Sequence, residues 1–77
     1  MGEYPMYIET FCQKLKKARI DTGFTQVEVG KELQISQSTL ANYETGRTQP
    51  DIETLGKLAD FYGVSIDWLI GTKGGKK

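Results

Sequence analysis

The stretch Thr25–Arg47, TQVEVGKELQISQSTLANYETGR, predicts two short helices joined by a tight turn. Thr25 with Glu28 three residues later is the pattern of a capping box, in which each side chain binds a backbone N–H at the start of a helix. Ser36 can cap the second helix with its hydroxyl. Apolar residues recur at helical spacing in both segments, so one side of each helix can pack on a common core.

The opposite side of the second helix is polar but carries no charge before Glu44. Gln37, Ser38 and Asn42 lie on this side. Solvent-facing helices ordinarily carry Lys and Glu, whereas uncharged amides and hydroxyls are groups that read base edges in the major groove of DNA. We therefore predict that these three side chains contact DNA bases. The alternative is that they form the polar surface of a protein-binding module.

The residue pattern TQ-x-x-x-G-x-x-L-x-I-S-Q-S-T-L-x-x-Y-E-x-G-R-x-x-P resembles the helix-turn-helix signature of the phage repressor and Cro-like (XRE-type) family of DNA-binding domains. The similarity extends over about residues 8 to 71. It implies an all-α fold, a compact five-helix, lambda-repressor-like domain in which helices 2 and 3 form the helix-turn-helix. Several residues match at fixed spacing, which makes the pattern more specific than a single helical corner.

Two residues within the motif depart from the family pattern. Gly30 stands where the family usually has alanine, and a small residue there allows the two helices to approach closely. Gln34 stands at a turn where glycine is frequent, because a left-handed backbone conformation suits glycine best. We expect Gln34 either to adopt that conformation at some cost or to change the turn slightly.

The resemblance also implies roles for side chains outside the base-reading set. Gln26 is expected to contact a DNA phosphate at the positive end of helix 2, and its alternative is an exposed residue without function. Arg19 is expected to pair with Glu44 and tie the first helix to the end of the third. A bidentate pair is chemically reasonable, because the guanidinium fork matches a carboxylate.

Hydroxyl groups and an arginine in and after the third helix can reach phosphates, which sets the register on DNA without reading its sequence. The candidates for these backbone contacts are Thr39, Thr45, Arg47 and Thr48. Thr39 can instead serve the helix cap, and Arg47 can be an ordinary loop charge.

The last predicted helix, residues 66–70, is too short to bury all its large apolar side chains. Trp68 can cap the core from this helix. The resemblance implies instead a two-fold dimer contact shared by Ile66, Trp68 and Ile70. Two recognition helices would then lie about 34 Å, one DNA turn, apart.

The length of 77 residues suits one small domain. We expect an N-terminal arm over residues 1–7, the DNA-binding domain over 8–71, and a flexible basic tail or the start of a linker over 72–77. The formal net charge is zero, but cations crowd residues 14–19 and acidic residues predominate over 51–70. The cationic segment can be a solvated helix face or a phosphate contact.

The composition argues against several classes of protein. The chain has no histidine, the commonest general base and a common metal ligand, so we expect no enzyme activity, no metal and no cofactor. Cys12 is the single cysteine and fits a reducing cytoplasm. No apolar run approaches the roughly 20 residues of a membrane span, and the first ten residues lack the order of a signal peptide. We expect no membrane partner.

The sequence therefore predicts a sequence-specific regulator of transcription that binds double-stranded DNA. We expect a repressor that binds a palindromic operator as a homodimer, although the signature does not separate repression from activation. One alternative is the N-terminal DNA-binding domain of a longer, ligand-sensing regulator. Another is an antitoxin-type protein-binding module that covers its partner with the last two helices.

Overall fold

The computed structural model describes residues 7–72, which form five α-helices and, within that range, no β-strand. The helices are α1 (Tyr7–Thr22), α2 (Gln26–Leu33), α3 (Gln37–Thr45), α4 (Ile52–Tyr62) and α5 (Ile66–Ile70). The predicted five-helix, all-α fold is confirmed. Helix α1 begins at Tyr7, so this residue belongs to the helix and not to the expected arm. The rest of that arm, and the tail beyond Thr72, lie outside the described residues.

Local capping chemistry sets the start of each helix after α1. The backbone N–H of Thr25 donates to Glu28 Oε1 at 2.9 Å, and the N–H of Glu28 donates to Thr25 Oγ1 at 3.1 Å, which completes the predicted capping box. Ser36, Asp51 and Ser65 cap the three helices that follow. A polar N-cap is typically worth about 1 kcal/mol over alanine. The caps thus keep α2 and α3 short and fix where each begins.

The core takes at least one fully buried side chain from every helix. Helix α1 is central and packs against α3, α4 and α5, while α2 packs against α3. The buried apolar residues are Phe11, Leu15, Ala18, Val29, Leu40, Tyr43, Leu58, Ala59, Tyr62 and Leu69. This packing leaves the outer sides of α2 and α3 facing solvent together.

Helical spacing also places Ile52 on the apolar stripe of α4 with Leu55 and Leu58. That expectation is wrong, because Ile52 is 81% exposed whereas Leu58 is fully buried. Ile52 is the first residue of α4, directly after the cap, and the chain approaches the core only further along the helix. Periodicity cannot show which end of a stripe extends past its packing partner.

The corner between α2 and α3 explains both departures from the family pattern. Gln34 adopts the left-handed conformation (φ 59°, ψ 44°), and its N–H donates to the Gly30 carbonyl. The N–H of Ile35 donates to the same carbonyl at 2.9 Å. A Cβ at Gly30 would overlap the carbonyl oxygen of Ile35. The turn therefore needs a glycine at residue 30. Gln34 adopts the left-handed conformation although this conformation is energetically unfavourable for a residue with a side chain.

Candidate nucleic-acid interface

An ion pair between α1 and α3 lies beneath the exposed polar side of α3. Arg19 Nε donates to Glu44 Oε2 at 2.7 Å and Arg19 Nη2 donates to Oε1 at 3.1 Å. The third contact of the guanidinium runs from Nη1 to the Phe24 carbonyl at 3.0 Å. Glu44 is buried, with only 7% of its surface exposed. The hydrogen bonds that Arg19 donates to Glu44 raise the pKa of Arg19 above its ordinary value, so the guanidinium keeps its charge.

A chain of hydrogen bonds connects this ion pair to the surface. Gln26 Nε2 donates to Glu44 Oε1 at 3.0 Å, and Gln37 Nε2 donates to Gln26 Oε1 at 2.9 Å. Because an ionised carboxylate only accepts hydrogen bonds, Glu44 determines which end of the Gln26 amide points toward it. The carbonyl of Gln26 is then left facing Gln37, which must donate. The buried charge therefore sets the orientation of an exposed amide on α3.

The Gln37 side chain is held by Gln26 but still has amide groups that can contact a base. It is exposed, and one N–H of its amide is used by Gln26. Among the described residues, its carbonyl oxygen and its second N–H have no hydrogen-bond partner. This pair of groups matches the N6 donor and N7 acceptor of adenine in the major groove. The arrangement can present one fixed donor–acceptor pair to a base.

The other two predicted base-reading residues lie further round the same helix. Ser38 is exposed, and its hydroxyl oxygen lies 3.4 Å from that of Ser36. Asn42 is half-buried, and its backbone carbonyl accepts the N–H of Arg47 at 2.9 Å. Both side chains are accessible from the solvent side of α3, but neither is fixed by a bond like that of Gln37.

The predicted backbone-contacting residues divide between the cap and the end of α3. The Thr39 hydroxyl accepts from Ser36 Oγ at 2.8 Å, so it belongs to the helix cap, which was its alternative role. Thr45 Oγ1 donates to the carbonyl of residue 41 at 3.0 Å. Arg47 and Thr48 follow the left-handed C-cap at Gly46, and both side chains are exposed. The exposed cation and hydroxyl of this loop therefore stand at the C-terminal end of α3.

An open cleft of about 460 Å³ lies between the end of α1, the start of α2 and α3. Its lining residues are Lys16, Arg19, Thr25, Gln26, Val27, Gln37, Glu44 and Thr45. The structure thus brings Gln26, Gln37, Thr45 and the ion pair to a single concave site. The predicted site residues of α3 and its following loop that lie outside the lining are Ser38, Thr39, Asn42, Arg47 and Thr48. Two interpretations of Lys16 were left open from the sequence, a solvated side chain and a phosphate contact. Thr25 was predicted only as a helix cap, and Val27 had no predicted role.

The helix-turn-helix family matches residues 15–69, which include the whole cleft. The chain belongs to the helix-turn-helix family of DNA-binding transcription regulators.

Named relatives agree with this assignment. The chain is 44% identical over 59 residues to the HTH-type transcriptional regulator ImmR of Bacillus subtilis (strain 168), covering 77% of this chain and 46% of that protein. It is 37% identical over 60 residues to the cryptic phage CTXphi transcriptional repressor RstR of Vibrio cholerae, covering 78% and 54%. The chain therefore spans about half the length of these curated relatives.

A solved structure supports the fold over nearly the full chain. The crystal structure of the clp gene regulator ClgR from C. glutamicum superposes with a TM-score of 0.75 at 28% identity. The superposition covers 96% of this chain and 97% of that one. The expected XRE-type fold and family are confirmed.

The three residues expected at a dimer contact occupy different surroundings at the end of the helix-turn-helix domain. Ile66 is 40% exposed at the start of α5. Trp68 is half-buried against the core, and the ammonium of Lys14 lies 4.8 Å from its ring centroid. Ile70 lines an open apolar cleft of about 280 Å³ at the start of α1. Trp68 and Ile70 thus both pack partly against the core of their own domain, whereas Ile66 presents exposed apolar surface.

The described residues contain neither a membrane-spanning helix nor a cluster of metal-binding side chains. Within residues 7–72, none of the helices combines the length and hydropathy that a membrane crossing requires. The same part of the chain contains no group of three or more His, Cys, Asp or Glu side chains that could hold a metal ion.

Proposed function

We propose that this helix-turn-helix domain represses transcription by binding double-stranded operator DNA through α3. The observation that carries the proposal is the Gln37 amide, which is exposed at the start of α3 and oriented by Gln26 and Glu44. A fixed amide has lost its rotational freedom before binding, so less entropy is lost when it meets a base. The relatives ImmR and RstR, named as a transcriptional regulator and a transcriptional repressor, favour this function.

The proposed contacts separate base reading from positioning. Gln37, Ser38 and Asn42 read bases in the major groove, and Gln37 pairs with an adenine. Gln26 uses its second N–H for a phosphate at the N-terminus of α2, where the helix dipole favours an anion.

Phosphate contacts on the other side of α3 complete the proposed binding surface. They come from the hydroxyls and the guanidinium of Thr39, Thr45, Arg47 and Thr48. Thr39 can make such a contact while it serves the cap, because its own hydroxyl hydrogen is not used by Ser36.

We propose further that two copies pair on a palindromic operator through α5. Ile66 and Ile70 supply apolar surface for this contact, with Trp68 supporting them from the core. The binding unit is residues 7–71, with residues 1–6 as an arm and 72–77 as a tail or the start of a linker. The protein acts where the chromosome lies, in the cytoplasm, and requires no metal or cofactor for binding.

Selection of bound sites from a random duplex library, at near-physiological salt, tests the proposal. The expected product is an inverted repeat whose half-sites lie about one helical turn apart. A single half-site without a repeat would contradict the dimer but not DNA reading. Failure to enrich any motif, with far-UV circular dichroism showing folded protein, would refute the function.

Matched variants sharpen the same experiment. Gln37→Ala should abolish the preference at one base pair of each half-site, whereas Lys57→Ala, on the exposed side of α4, should leave the motif unchanged. Loss of the motif in both variants would show that the selection reports general stability and not recognition by α3.

A further inference from the structure

Three lysines of α1, close in sequence, have different surroundings. Lys14 lies over the Trp68 ring, with its ammonium 4.8 Å from the centroid. Lys17 Nζ lies 3.1 Å from Asp21 Oδ2, one helical turn further along. Lys16 lies on a different side of α1 and lines the cleft beside Gln26 and Gln37. Within residues 7–72, no carboxylate lies within 4.0 Å of the Lys16 ammonium.

The cleft would be electrically neutral without Lys16. Arg19 and Glu44 are its other charged side chains, and they cancel because they form a bidentate pair. Three of the five N–H groups of Arg19 are already engaged, two with the Glu44 carboxylate and one with the Phe24 carbonyl, so its charge is paired. The net side-chain charge of the cleft is therefore the single positive charge of Lys16. The first turn of α2 adds the partial positive charge of its unpaired N–H groups.

We propose that Lys16 binds a phosphate of the DNA strand that passes the cleft beside Gln37. This inference rests on the proposed function and adds a contact from α1, outside the helix-turn-helix. A flexible ammonium suits a phosphate as a point charge, and it cannot read a base through the bidentate geometry open to an amide. Lys16 thus positions the duplex so that the fixed amide of Gln37 meets a base edge. Lys14 and Lys17 do not take part, because their ammonium groups are already engaged.

The test is the salt dependence of binding for three variants that each remove one positive charge. Affinity is measured for the wild type, Lys16→Gln, Lys14→Gln and Lys17→Gln, on a mixed-sequence duplex and on a duplex carrying the selected site. Each phosphate contact contributes about 0.9 to the slope of log affinity against log salt. Lys16→Gln should reduce the slope by about 0.9 on both duplexes. The loss of affinity of Lys16→Gln relative to the wild type should then be about 3.5-fold smaller at about 200 mM than at about 50 mM salt. This factor is the fourfold rise in salt raised to the power of about 0.9.

The two control lysines make the outcome decisive. A general effect of net charge would lower the slope equally in all three variants, and that result would overturn the proposal. An unchanged slope for Lys16→Gln, with the wild type still binding, would overturn it while leaving the proposed function intact. Failure of the wild type to bind either duplex would overturn both. Lys16→Arg should recover the wild-type slope, which shows that charge and not the lysine shape is needed.

Discussion

Replacing Glu44 with alanine should destabilise the domain, because Arg19 and Gln26 would lose the carboxylate that accepts their hydrogen bonds. The carboxylate accepts bonds of 2.7 and 3.1 Å from Arg19 and one of 3.0 Å from Gln26. Its side chain is 2% exposed, and that of Arg19 is 14% exposed. The guanidinium of the variant would thus remain mostly buried without a counter-charge. Removing one partner of a buried pair typically costs about 3–5 kcal/mol.

The Arg19 guanidinium is not fully buried and keeps its bond to the Phe24 carbonyl, so part of that cost is relieved by water. We therefore expect a loss of about 2–4 kcal/mol in the free energy of unfolding. A domain of this size has a total stability of only about 4–12 kcal/mol. The melting temperature should fall by about 10–30 °C, since 1 kcal/mol corresponds to roughly 4–8 °C.

Thermal and urea unfolding, followed by far-UV circular dichroism, measure this change. Glu32→Ala is the matched control, because Glu32 is exposed on α2 and the same substitution there should change the melting temperature little. A Glu44→Ala melting temperature within a few degrees of the control would refute the reasoning that the pair is buried and mutually dependent.

The remaining predictions concern recognition, the turn and a buried phenol. Gln37→Ala should weaken binding by about 1–3 kcal/mol on the preferred duplex and relax one base pair. Arg47→Ala should weaken binding to every duplex alike in titrations. Equal losses on all DNA for both variants would contradict the assignment of base reading to Gln37 and phosphate contact to Arg47. Gly30→Ala should lower the free energy of unfolding by about 1–3 kcal/mol in urea, because the new Cβ meets the Ile35 carbonyl. Gln34→Gly should raise that energy by up to about 1 kcal/mol by removing the left-handed strain, and a decrease would show that its side chain packs. Burial raises the pKa of Tyr62 to about 12 from about 10, so the folded state holds the phenolic proton more tightly and stability should fall as the pH rises from 10 to 12. Tyr62→Phe should remove that alkaline loss and leave stability at neutral pH equal or higher, because the phenol has no hydrogen-bond partner among the described residues. A parallel fall in both proteins would assign the alkaline loss to other groups.

Several features of the domain follow from short-range sequence patterns. Helices α2 and α3 begin directly after their predicted caps, and α5 has its predicted range, because capping side chains bind backbone groups only two or three residues away. The need for a small residue at Gly30 was also expected from the turn between two adjacent helices, and the left-handed conformation of Gln34 was one of the two expected outcomes. These features depend on interactions within one turn of chain, so the local sequence determines them.

Other features could not be read from spacing. The bond between Gln26 and Gln37 joins residues 11 positions apart, and its polarity comes from a carboxylate on the far side of the same helix corner. From the sequence, Gln26 and Gln37 were each predicted to contact DNA separately. In the structure, Gln26 also orients the Gln37 amide. The orientation requires the packing angle between α2 and α3, which no residue pattern specifies.

The sequence by itself determined the family, the five helices and the uncharged side of α3, because these depend on residue types at fixed short intervals. The tertiary structure alone decided how chemically identical residues differ. It places Lys14 on Trp68 and Lys16 in the cleft, whereas Lys17 pairs with Asp21 within its own helix. The reason is that a side chain acquires its partner from the helices packed against its own, and that packing is fixed by the core as a whole.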